Sequence, residues 1–145
     1  MLDDRGGEPA LEAAELGQGG QLLVATWRRL AVGDDACPLI AREFTRACGE
    51  DGAEVLATLS CFLRALAYAG RRRLRVGRPG LAGLTGDERQ LLALIAAAQA
   101  DDDGLVELHL RWLARAELRL AVAITARALA RALKLHDLLL PPLRP

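Results

Sequence analysis

Apolar residues in this chain recur every three or four positions over long stretches, and glycine or proline interrupts each stretch. That period belongs to α-helices with one face turned inward. Leu22, Leu23, Thr26, Trp27 and Leu30 predict a first helix over residues 21–31, stopped by Gly33. Arg28 and Arg29 fall on its other side near the C-terminus, where positive charge suits the helix dipole. A second helix follows, with Asp35 or Cys37 as cap and Pro38 in the first turn, where a missing N–H costs nothing. Leu39, Ile40, Phe44 and Ala47 form its stripe, Glu43 and Arg46 pair on its surface, and Gly49 closes it.

Asp51-x-x-Glu54 resembles a capping box and opens a third helix reaching about residue 69. Val55, Leu56, Leu59, Phe62, Leu63 and Leu66 cover a wide arc, which predicts the central helix, with Gly70 at its end. Thr85-x-x-Glu88 is a better capping box, and its helix carries Leu91, Leu92, Leu94, Ile95 and Ala98. Asp101, Asp102 and Asp103 break that helix and cap the next, which runs to about residue 115 through Leu105, Val106, Leu108, Leu110, Trp112 and Leu113. The last helix, about residues 116–136, buries Leu118, Val122, Thr125, Leu129 and Leu133. Pro141 and Pro142 prevent its continuation.

The pattern therefore predicts an all-α protein, a single compact bundle of about six helices. An Arg/Gly/Pro-rich extended loop separates helices three and four. Residues 1–20 read as a loose acidic leader, with a short helix over residues 9–15 that Gly17, Gly19 and Gly20 end. Residues 21–140 form the domain and residues 141–145 a Pro-rich tail.

Composition agrees. Hydrophobic residues make up 52% of the 145 positions and aromatics only 3%, which favours helices over sheets. A chain of this length buries enough surface to fold without a disulfide or metal. Net charge is zero, yet residues 1–54 hold 11 acids and 5 bases, and residues 55–145 hold 8 acids and 14 bases. The overall neutrality gives no general steering toward nucleic acid or membrane. The 18 Arg against a single Lys134, with no Asn, read as the imprint of a GC-rich genome and discount arguments from arginine number alone. Cys37, Cys48 and Cys61 match no common zinc spacing and read as free buried thiols of a reducing cytoplasm. No signal peptide and no uncharged run of about 18 residues is found, so a soluble cytoplasmic protein is expected.

The candidate chemistry concentrates in residues 70–88. Arg71, Arg72, Arg73, Arg75 and Arg78 fall within eight residues, ahead of Pro79 and the helix start at Thr85. Arg73 and Arg75 should lie on one side of an extended strip, Leu74 and Val76 on the other. Guanidinium forks pair with phosphates and carboxylates, and a helix start favours an anion. The competing expectation is that Arg71, Arg72 and Arg73 neutralise the preceding helix end and pair with Asp101–Asp103 or the leader. The Walker pattern is absent. Arg127, Arg131 and Lys134 form a second basic stripe, read as a solvated face or a face for a partner helix. His109 and Trp112 share a helix face without further ligands, and Ser60 and Cys61 have no nearby base. No metal, cofactor or catalytic residue is assigned.

The stretch Arg72–Val76, Arg78–Gly80, Thr85–Glu88 and Leu91–Ala98 resembles uncharacterised families of small bacterial helical proteins. Their pattern is an Arg-rich extended segment, a Pro/Gly/Cys turn, Thr-x-Asp-Glu and a Leu/Ala helix. The resemblance implies a helical fold and no activity. This chain lacks cysteine beyond Cys61, unlike the cysteine-rich version. The expected function is that of a helical interaction or regulatory module, not an enzyme, binding a protein partner or a second copy of itself. The alternative is binding of an anion or nucleic-acid backbone at Arg71–Arg78. A third reading is an enzyme whose site is assembled from scattered residues.

Overall fold

The computed structural model describes residues 13–33 and 37–142. The fold is all-α, and among the described residues there is no strand. A 3-10 turn, Ala13–Leu16, leads into α1 (Gly17–Ala31). α2 (Pro38–Cys48), a 3-10 turn (Gly49–Asp51) and α3 (Gly52–Ala69) follow one another without a break. α4 (Gly86–Gln99), α5 (Asp103–Leu113), a 3-10 turn (Ala116–Leu118) and α6 (Arg119–Leu135) complete the order. With Pro38–Ala69 counted as one continuous helical run, the described residues hold five helices where about six were expected.

That run is long and apolar enough to cross a membrane by length and composition alone, which the search for uncharged stretches did not anticipate. It is folded back on itself. Gly49 has φ +63°, and α2 packs along α3. Glycine at 52 permits this closeness, since a Cβ there would stand 2.7 Å from the Phe44 carbonyl oxygen.

The helix α1 starts four residues earlier than the sequence suggested. Gly17, Gly19 and Gly20, expected to end a leader helix, are its first turn, and Leu16 is buried ahead of them. The proposed helix over residues 9–15 lies largely outside the described residues. At the other end, Leu138 and Leu140 turn back into the core. The buried Gln99 holds that segment, donating Nε2–H to the Leu138 carbonyl (3.0 Å) and accepting from the Leu140 N–H (2.8 Å).

The central helix is α4 and not α3, a correction to the sequence reading. Every residue from 91 to 99 is buried. A helix apolar all round belongs inside. Of the arc predicted for α3, Val55, Leu59, Phe62 and Leu66 are buried, whereas Leu56 and Leu63 are only half-buried. α6 joins the two halves: its inner face, with Val122, Ala126, Leu129 and Leu133, packs on both α3 and α4. A single antiparallel bridge, Gly70 to Ala114, ties the end of α3 to the end of α5.

Candidate functional site: the arginine loop and the start of α4

Thr85 caps α4 as its sequence predicts. Its Oγ1 accepts from the Glu88 N–H at 3.0 Å, and Glu88 Oε1 accepts from the Thr85 N–H at 2.8 Å. Thr85 Oγ1 also donates to the Arg75 carbonyl at 2.8 Å, which fastens the arginine strip to the helix start.

Glu88 does more than cap. Its carboxylate is fully buried and meets Arg28 of α1, itself only 3% exposed. Arg28 Nε donates to Glu88 Oε2 at 2.8 Å and Nη2 to Oε1 at 2.9 Å. The remaining donors reach the Leu81 and Gly83 carbonyls, each at 2.7 Å. Gly77 N–H adds a bond to Glu88 Oε2 at 2.9 Å. A side chain at 77 would stand 3.0 Å from the Arg28 fork, so glycine leaves room for it. Burial pushes the Glu88 carboxyl up, but Arg28 and the Thr85 and Gly77 amides outweigh it and hold it below the usual range.

Asp87 organises the other wall. Arg72 grips it with Nη1 and Nη2 at 2.9 and 2.6 Å, and the Arg75 N–H donates to Oδ2 at 2.6 Å. The Arg72 hydrogen bond, against the effect of burial, keeps Asp87 below the ordinary carboxylate range. An anion therefore already sits between the arginine strip and the helix start, and it is the chain's own carboxylate.

The six residues predicted here divide accordingly. Arg72 pairs with Asp87, not with Asp101–Asp103 as expected. Arg71 Nε donates to the Arg111 carbonyl at 2.9 Å. Arg73, Arg75 and Arg78 are exposed, while Leu74 and Val76 pack against the core, so the expected alternation is present. Arg28, expected on the outer side of its helix, is the residue that sequence reasoning missed. Its partner is 60 positions away, and the local hint was an arginine next to the buried Trp27 and one turn after the buried Val24.

The second basic stripe is used inside the molecule as well. Arg127 pairs with Asp103 at 2.9 Å, and Lys134 Nζ donates to the Gln99 carbonyl at the end of α4, at 3.1 Å. Arg131 is exposed. His109 and Trp112 do not share an environment: His109 is buried, and Trp112 is 70% exposed. Burial pulls the His109 pKa down. Among the described residues, no three His, Cys, Asp or Glu side chains converge to hold a metal ion.

No protein-family model matches the chain, and no curated protein or solved structure does either.

Proposed function

We propose that this protein is a helical interaction module that binds a second copy of itself through the outer face of α6. The observation that carries the reading is the composition of that face. Leu120, Ile124 and Leu135 are 73%, 60% and 77% exposed. With Ala128 and Arg131 they follow one helical stripe, opposite the buried Val122, Ala126, Leu129 and Leu133. A helix that ends at solvent carries polar residues there, and a contiguous exposed apolar strip marks an interaction site.

A second copy suits the strip because it is nearly symmetric about Ala128. Antiparallel pairing about a two-fold axis sets Leu120 against Leu135 of the other copy and Ile124 against the alkyl stem of Arg131. Ala128 at the centre lets the backbones approach closely. The candidate partner face of Arg127, Arg131 and Lys134 thus shifts by one stripe: Arg127 and Lys134 serve the bundle, and Arg131 stays with the leucines.

Light scattering on the full chain tests this reading. A dimer is expected, converted to monomer by Ile124→Lys with an unchanged melting transition. A wild-type monomer at tens of micromolar (on the order of a weak dimer's Kd) sinks the proposal.

A further inference from the structure

Between α1 and α3 the helices leave a trough. Two adjoining hollows of about 540 and 550 Å³ share Trp27, Leu63 and Ala67 as lining. One extends toward Leu30 and Ser60, the other toward Gly70 beside the extended strip with Leu74 and Val76. From position 60 to 70 along α3 the trough spans about 15 Å, at 1.5 Å per helical residue.

Among the described residues its lining is apolar apart from Ser60 and three arginines, Arg64, Arg72 and Arg73, with no Asp or Glu. Arg72 is neutralised by Asp87. The Arg73 guanidinium is exposed and forms no hydrogen bond or ion pair with another described residue. It also stands within the densest run of positive charge in the chain. Trp27 lines both hollows, so an occupant that reaches Arg73 and runs along α3 passes beside it.

We propose that this trough binds a long-chain carboxylate, its head on the Arg73 fork and its alkyl chain along Leu63, Leu66 and Trp27. A guanidinium pairs bidentately with a carboxylate. The volume falls in the range of small-ligand sites, which are mostly apolar with a few polar anchors. None of the lining residues belongs to α6, so the outcome is separable from the self-association test.

The test uses the full chain carrying Trp112→Phe, so that fluorescence reports Trp27. Brominated carboxylates from octanoate to palmitate are titrated below their micelle concentrations. Saturable quenching is expected, tightening by up to about fourfold per methylene until the trough is filled. Arg73→Ala should weaken carboxylates at least tenfold and leave the matching alcohols unchanged, whereas Arg64→Ala should change neither. Ala67→Phe, at an exposed position, should fill the trough and abolish quenching without moving the melting transition. Absence of chain-length dependence, equal losses for acid and alcohol in Arg73→Ala, or preference for an acidic amphipathic peptide over the carboxylates would each overturn the proposal.

Discussion

The start of α4 and the outer face of α6 make opposite use of their residues. At the start of α4, charged groups are gathered from α1, the loop and α4 itself, and they answer one another. Glu88 receives four hydrogen bonds, two from Arg28 and two from backbone amides. Asp87 receives three. On the outer face of α6, the large apolar side chains of Leu120, Ile124 and Leu135 are mostly exposed. Of the charged stretch, Arg72 is tied to Asp87 and Arg71 to a backbone carbonyl while Arg73, Arg75 and Arg78 stay exposed, and the plainer Leu/Ala helix carries a strip of exposed large apolar side chains. A charge run says little about function until its countercharges are found, whereas an exposed apolar stripe has no such internal remedy.

The sharpest way to break this contrast is at Glu88. Glu88→Gln leaves the buried Arg28 guanidinium without its countercharge and should cost about 3–5 kcal/mol in denaturant unfolding. Replacing both residues by methionine should recover little, because the Gly77 and Thr85 amides and the Leu81 and Gly83 carbonyls would then lose their partners. Full recovery in the double variant would show that the network is dispensable.

Acid should destabilise the molecule in two stages, the first at His109 of α5 and the second at the start of α4. His109 has a folded pKa below its unfolded value of 6.5, so the unfolded chain takes up a proton first and stability begins to fall as pH drops below 6.5. Asp87 and Glu88 are lowered from 3.8 and 4.5, so the stability they add is present above those values and is lost as pH falls through the folded ones. Unfolding free energies across this range should show both stages, and His109→Leu should remove only the upper one.

Thr85→Ala removes the cap hydroxyl and should cost about 1 kcal/mol. Its thermal melt should shift modestly, because Glu88 keeps Arg28. Ile124→Lys on α6 should be smallest of all in stability, within about 0.5 kcal/mol, while carrying the whole effect on association state.

Local signals were read well because helix periodicity and capping act within a few residues. The Thr85–Glu88 capping box and the Asp102 cap on α5, whose carboxylate accepts from Leu105 N–H at 3.1 Å, are of this kind, whereas Asp51 and Cys37 make no side-chain cap bond and Leu39, placed in the α2 stripe, is exposed. Asp101–Asp103 were recognised as a connector for the same reason. The identity of the buried helix was misread because apolar side chains at a helix margin count in the pattern whether or not a neighbour covers them. Leu56 and Leu63 of α3 end half-buried, while Ala93, Ala96 and Ala97, left out of the stripe predicted for α4, are buried.

By itself, then, the sequence determined a helical chain, its caps and breaks, and an alternating strip of Arg73, Leu74, Arg75 and Val76. Tertiary structure alone decided which carboxylates the arginines meet, that Gln99 captures the returning tail, and that α4 rather than α3 lies at the centre. The physical reason is range. Periodicity and capping are set by neighbours a turn away, whereas a buried ion pair such as Arg28 and Glu88 exists only after chain segments 60 positions apart have been brought together and dried.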